Sequence, residues 1–297
     1  MLDYTALAAL QAVVREGSFE RAARTLHVTP SAVSQRVRLL EERMGCALVV
    51  RGQPCTATDT GRRLCGHVEQ VRLLEHDLVA SLPAAADGRT ARPRLSVAVN
   101  ADSLAGWFMP AAARFAADAP VLLDLMVDDQ DHTAERLRSG AVLAAVTALA
   151  EPAPGCQVRP LGAMRYVAAA SPAFVAAHFA QGVDADALAR APSLRFDQKD
   201  ELQARWVRQT LGEDVALPQH RVPAAHAFVA AAVSGMGWGL HPQALAAPHL
   251  AAGRLVELRP GTPLDVPLHW QRARLAVPLL AQLTQVVVQA AKTELLQ

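Results

Sequence analysis

Over the first 80 positions apolar residues recur at steps of three and four, the period of helices that bury one face. Leu7, Leu10, Val13 and Val14 mark a first helix from Tyr4 that Gly17 stops. Ser18 is a suitable N-cap for a short second helix over 19–26, whose Ala22 and Ala23 let another helix approach closely. Thr29 can cap a third helix, 30–44, with Pro30 at its first position, where a missing N–H costs nothing. Val33, Val37, Leu40 and Met44 form its apolar face, and Ser31, Ser34, Gln35 and Arg38 point elsewhere. After Gly45, residues 47–50 followed by Arg51-Gly52-Gln53-Pro54 predict a strand and tight turn, a wing. From about Thr58 a long helix carries Leu64, Val68, Val71, Leu78 and Leu82, a seam suited to self-association. Residues 83–93 have no periodicity and read as a hinge.

Beyond the hinge the pattern changes to strands alternating with helices, which predicts a parallel sheet flanked by helices. Strands are expected at 95–99, 122–127, 143–147, 166–170, 193–196, 238–240, 255–257 and 267–270. Helices are expected at 104–117, 133–139, 173–178, 201–211, 227–234, 243–252 and 278–296.

Composition narrows the classes. The 297 residues suffice for two or three compact units. Although 52% are hydrophobic, no stretch approaches the roughly 20 apolar residues of a membrane span, and the start lacks a secretory pattern, so no membrane partner and a cytoplasmic location are expected. Cys46, Cys55, Cys65 and Cys156 have no metal-ligand spacing and read as reduced thiols, with no metal or cofactor expected. Residues 1–66 hold nine arginines against six acids, whereas from residue 93 there are 17 basic and 18 acidic residues. The mild positive bias of the head suits a nucleic-acid partner.

Chemistry points the same way. Two short helices with alanines at their crossing, the second rich in Ser, Gln and Arg, suit insertion into a DNA major groove, where Gln pairs with adenine edges and Arg with guanine. A helical hairpin with polar faces and no nucleic-acid role is the alternative on spacing alone. The string Phe19-Glu-Arg-Ala-Ala-Arg-Thr-Leu-His-Val-Thr-Pro-Ser-Ala-Val-Ser-Gln-Arg-Val-Arg-Leu-Leu-Glu-Glu-Arg-Met-Gly45 resembles the N-terminal signature of LysR-type regulators. Within that family, Ser31-Ala-Val-Ser-Gln-Arg36, Leu95-Ser-Val-Ala-Val-Asn-Ala-Asp-Ser-Leu104, Arg195-Phe-Asp197, His226-Ala-Phe228 and Leu268-His-Trp270 are most similar to the ArgP/LysG branch. Met126–Asp131, Met236–Pro242 and Pro30 depart from the pattern.

The resemblance implies an α/β protein with a winged helix-turn-helix DNA-binding domain (1–58), a linker helix and hinge for dimerisation (59–92), and a two-lobed effector-binding domain like the periplasmic binding proteins (93–297). Lobe I would span about 93–162 plus 266–297, and lobe II about 163–265. Ser31, Ser34, Gln35, Arg36, Arg38 and Arg51 are the DNA-binding candidates. Asn100, Asp102 and Ser103 lie between a strand and a helix start, where open α/β sheets bind ligands and free N–H groups accept a carboxylate, Ser103 as a plain helix cap being the alternative. Asp128, Asp129 and Asp197 sit at strand ends and would pair with a cationic side chain, solvated loop acids being the alternative. Thr147, closing a strand, and His226, in a segment that carries the resemblance, complete the effector candidates. The histidines fall on separate elements with no nucleophile beside them, so no catalytic residue and no enzyme activity is expected. The implied function is regulation of an amino-acid exporter gene in response to lysine or arginine, by a homodimer or homotetramer on double-stranded DNA, with RNA polymerase a further partner. An architectural or replication-origin DNA-binding protein without effector response is the competing reading, and a solute-binding or enzymatic protein with a basic head is a third.

Overall fold

The computed structural model describes residues 2–81, 92–128 and 130–297. Its head has three helices, α1 (Tyr4–Glu16), α2 (Phe19–Thr25) and α3 (Pro30–Met44), and a hairpin of β1 (Val49–Val50) and β2 (Thr56–Ala57). Each helix begins on a side-chain cap: Asp3 accepts from the N–H groups of Thr5 and Ala6, Ser18 from Arg21 and Thr29 from Ala32. Gly17 ends α1 with φ +67°, and an added Cβ there would lie 2.7 Å from the Cβ of Pro54, so glycine serves both the turn and the seat of the wing. Glu41 of α3 accepts from the N–H groups of Leu48 at 2.8 Å and Val49 at 3.3 Å, fixing the wing to the third helix. Leu7, Leu10, Val33, Val37, Leu40 and Leu48 form a closed core of their own.

The linker helix α4 (Asp59–Ser81) joins this head to the second unit. The expected seam divides among three directions. Leu64 and Val68 pack into the head core, Leu73 is fully buried in the core of the second unit, and Leu74 and Leu78 are 42% and 60% exposed. A single copy therefore covers part of the predicted stripe itself, because α4 has a folded partner on two sides. Leu82 and most of the expected hinge lie outside the described residues.

The second unit runs β3 (Arg94–Asn100), α5 (Ala101–Ala105), α6 (Phe108–Asp118), β4 (Leu122–Asp128), α7 (Gln130–Ser139), β5 (Ala144–Thr147), β6 (Cys156–Ala170), α8 (Pro172–His178), α9 (Ala185–Arg190) and β7 (Ser193–Arg195). It continues through α10 (Leu202–Leu211), β8 (Gln219–Arg221), α11 (Ala225–Val233), β9 (Gly239–Pro242), α12 (Gln243–Ala251), β10 (Val256–Glu257), β11 (Leu264–Ala273) and α13 (Pro278–Glu294). The main sheet has the order β10-β6-β11-β5-β3-β4, with β9 also on β6, and β7 and β8 pair in a small parallel sheet.

The main sheet is mixed, which corrects the expectation of a parallel one. β3 is parallel to β4 and β5, but β11 returns antiparallel between β5 and β6. β6 and β11 pair from Leu264↔Tyr166 to Ala273↔Cys156 with a bulge at Leu268/His269, forming the span that connects the lobes. The expected strand 166–170 is only the end of β6, since Pro160 and Gly162 hide its earlier part. At Gly162, with φ +116°, an added Cβ would lie 2.3 Å from the carbonyl oxygen of Leu296, where the C-terminal segment bonds back to Ala163. The expected helix 104–117 is two helices broken at Gly106. Trp206, Trp238 and Trp270 lie in the core, with the Trp206 and Trp238 rings 5.5 Å apart.

Candidate functional site

Burial of Val33, Val37 and Leu40 turns the opposite side of α3 to solvent. Ser31, Gln35 and Arg38 are exposed there at spacings of four and three, Ser34 and Arg36 are half-buried at its flanks, and Arg51 is exposed on the wing. Two of these cations are already held: Arg38 pairs with Glu42 at 2.8 Å, and Arg51 lies 5.4 Å over the Phe19 ring. Thr29 and Ser31 share a hydroxyl contact of 3.0 Å at the N-terminus of α3. Leu39, 49% exposed beside Gln35, is an apolar group on the same surface that the sequence did not single out, because its spacing extends no buried stripe.

The second site lies between the lobes, where the ends of β3 and β5 face the β7–α10 loop and α11. A cavity of about 280 Å³ is lined there by Asn100, Asp102, Tyr166, Asp197, Asp200 and Arg205, with Phe196, Phe228 and Leu268 as apolar wall. Its acids differ in what they have left to offer. Asp197 accepts through Oδ1, from the N–H groups of Lys199 and Asp200, whereas Asp200 uses both oxygens, for the N–H groups of Phe196 and Leu202 and the Gln203 amide. Among the described residues Asp102 accepts one hydrogen bond, from the Tyr166 hydroxyl at 2.7 Å. Desolvation pushes the Asp102 carboxyl up to about 6, opposed by the Tyr166 hydrogen bond and reinforced by the charge of Asp200. The Tyr166 hydroxyl is raised well above its ordinary range by burial and by the same carboxylate. Beside them the Asn100 Oδ1 is buried without a partner among the described residues. Across the cleft Arg205, exposed on α10, forms no ion pair among the described residues, and its charge reaches Tyr166.

The other effector candidates are placed differently. Ser103 is fully buried and accepts from the indole N–H of Trp107 at 3.0 Å, one turn along the chain. Thr147 is buried and its hydroxyl accepts from the N–H of Leu149, leaving Ala148 to line the cavity. His226 is exposed on α11, whose Ala225 and Phe228 face the cavity instead. The backbone of Asp128 pairs with Asn100 at the end of β4, and Asp129 lies outside the described residues. Tyr166 and Arg205 escaped sequence reading because tertiary folding alone brings them together. A larger groove of about 840 Å³ opens behind Asp102 among α6, α12 and α13, where Arg114, Arg165, Gln289 and Glu294 join Asp102 along a wall otherwise rich in Ala, Pro and Leu. Among the described residues no three His, Cys, Asp or Glu side chains group as metal ligands, and no helix is long and apolar enough to cross a membrane.

Comparison with known proteins agrees with this division of labour. Residues 4–62 match the model for the bacterial regulatory helix-turn-helix protein, lysR family, and residues 88–292 that for the LysR substrate binding domain. The HTH-type transcriptional regulator ArgP of Pseudomonas aeruginosa is 47% identical over 285 residues, 96% of this chain and 94% of that protein. The crystal structure of ArgP from Mycobacterium tuberculosis superposes with a TM-score of 0.83 at 45% identity, covering 100% of this chain and 99% of that one. Full-length LysG from Corynebacterium glutamicum with bound effector Arg gives 0.72 at 40% identity, covering 100% of both chains. A helix-turn-helix head, a two-lobed ligand-type domain and identity at this level along the whole length make the chain a member of the LysR family of transcriptional regulators, of the ArgP/LysG type.

Proposed function

We propose that the chain senses a basic amino acid, lysine or arginine, in the interlobe cleft and uses it to control an exporter gene. The observation that carries this reading is the pairing of Asp102, a carboxylate with unused acceptor capacity, with the unpartnered Asn100 Oδ1. A cationic group seated between them gains both acceptors and repays the desolvation of the carboxylate. Arg205 on the opposite lobe supplies a guanidinium for the ligand carboxylate, so one molecule bridges the lobes and favours their closed arrangement. The arginine held by the C. glutamicum relative supports the same ligand class. Ligand shifts the lobes only by binding one arrangement better than another, and paired heads then sit differently on DNA. Homodimers or homotetramers on double-stranded DNA, contacting RNA polymerase where transcription is activated, complete the proposal.

Calorimetric titration with the amino acids and with norleucine, which keeps the backbone charges but lacks a side-chain cation, tests it. Lysine or arginine should bind, norleucine should bind far more weakly, and Asp102→Asn and Arg205→Ala should each weaken the cationic ligand by tenfold or more, about 1.4 kcal/mol. Absence of heat with either basic amino acid at millimolar concentration would remove the effector assignment and leave the family membership intact.

A further inference from the structure

We propose that the seat of α4 on the C-terminal end of α7 is the joint through which the effector cleft sets the pose of the DNA-binding head. The proposal deepens the sensing function put forward above and rests on it for the identity of the ligand.

The joint starts at the cleft. Asn100, at the end of β3, lines the cavity, and the parallel strand β4 ends beside it with Asp128 opposite Asn100. α7 follows almost at once and ends at Ser139 and Gly140, where it meets the linker helix. The meeting is backbone on backbone. A Cβ added to Gly66 of α4 would lie 2.5 Å from the Ser139 carbonyl oxygen and 2.6 Å from the Gly140 carbonyl carbon. A Cβ added to Gly140, whose φ is +72°, would lie 3.2 Å from the Gly66 Cα. With no side chain between the two main chains, no rotamer change can absorb a displacement of α7, and α4 has to move with it. Leu73, two turns along α4, is fully buried in the effector-domain core and extends the same contact.

The head grips the same stretch from the other side. Glu69, three residues from Gly66, accepts from the Gln11 amide of α1. The charges bearing on Glu69 come from both units: Arg15 in the head, Arg94 and Asp124 in the sheet, and Arg72 on its own helix. Val68 meanwhile is buried in the head core. Residues 66–73 of α4 are therefore clamped between head and sensing domain, so closure at the cleft is delivered to the head as a rigid shift of one helix.

Gly66→Ala is the direct probe. In an ordinary helix interior this exchange stabilises the helix, whereas here the new methyl has to part α4 from α7. In the full chain, hydrogen exchange in 133–139 should speed up while that of α6 stays as in wild type, and the footprint of the ligand-free variant on a selected operator should differ from that of wild type. Arginine and lysine should still bind, because the cleft is untouched, but their effect on operator affinity, about 5–150-fold for ordinary coupling, should fall to within about twofold. Unchanged exchange in α7, or a variant whose operator affinity responds to arginine as wild type does, overturns the joint while leaving the sensing function standing. If neither amino acid binds wild type, the ligand assignment fails separately, and an unaltered ligand-free footprint then overturns the joint as well. Gly66→Ser, which places a slightly larger group at the same contact, should match or exceed the alanine effect in every readout, and a wild-type response from it also counts against the joint.

Discussion

Two buried titratable groups give the chain opposite responses to pH. Asp102 titrates at about 6 in the folded chain against 3.8 for an ordinary aspartate, so the native state holds the extra proton. Stability contributed by this group is greatest below about pH 4 and declines as pH rises through 6, by roughly 3 kcal/mol for a two-unit shift. Burial pushes His241 down to about 4 from 6.5, so its contribution is present above 6.5 and is lost as pH falls through 4. A cationic ligand beside Asp102 favours the ionised carboxylate, and binding below about pH 6 must then release a proton. Affinity for arginine should therefore rise between about pH 5 and 7 and flatten above, and Asp102→Asn should abolish that slope, as titration calorimetry in buffers of different ionisation heat would register. A slope that survives in Asp102→Asn would place the linked proton elsewhere. At this scale the sequence places Asn100 and Asp102 between a strand and a helix, a local pattern; Asn100 closes β3, Asp102 falls in the first turn of α5, and both line the cavity. It could not assign Ser103, because the Trp107 indole that occupies its hydroxyl is set by how α5 breaks into α6 at Gly106.

Among the elements, α3 and α4 carry the clearest consequences. Gln35 is exposed on the free face of α3, so Gln35→Ala should cost about 1–3 kcal/mol on a selected operator and relax preference at one base pair, whereas Arg51→Ala on the wing should weaken all sequences alike and reduce the salt dependence. Competition binding against single-base operator variants distinguishes the two, and equal loss on every sequence for Gln35→Ala would remove α3 as the reader. On α4 the residues have to be separated by face. Leu74 is 42% exposed, and Leu74→Glu should weaken self-association in sedimentation velocity while the head melts as before. Val68 is 4% exposed inside the head core, so Val68→Glu should instead unfold the head, at a cost of several kcal/mol for an unpaired buried charge. The helical period made α1, α3 and α4 legible because each helix repeats its own pattern, with Thr29 read as the cap of α3, while the Asp3 cap of α1 was not singled out. That period left open which apolar residues of α4 face the chain and which face a second copy, since the direction of a helix face is fixed by what packs on it. The same limit hid the two-residue β2 and the three-residue β8, too short to show an alternation.

In the whole molecule the core of the head and the main core of the effector domain, which has two smaller clusters beside it, are connected through α4. The sequence made this division visible as a change of period near residue 93, while the antiparallel return of β11, which joins the lobes, depends on pairings far apart in the chain and was misread as parallel. A ligand that binds only the folded effector domain stabilises it by about 2.7 kcal/mol at a hundredfold excess over its Kd. For a domain of this size each kcal/mol moves Tm by about 2–4 °C, so arginine or lysine should raise the effector-domain transition by about 5–10 °C. No described residue of the head lines the cleft, and the head's own transition should move less, by the amount that α4 transmits. Scanning calorimetry of the full chain with and without arginine measures both. In Asp102→Asn the effector-domain shift should shrink or vanish, because the ligand cation loses its charged partner. An architectural DNA-binding protein would give no amino-acid-dependent shift in either transition, and a regulator of a neutral or aromatic metabolite would shift with that compound and not with arginine. Equal shifts of head and effector domain would mean that α4 holds the two cores as one cooperative unit, in which case closure of the cleft and movement of the head are a single transition of the whole chain.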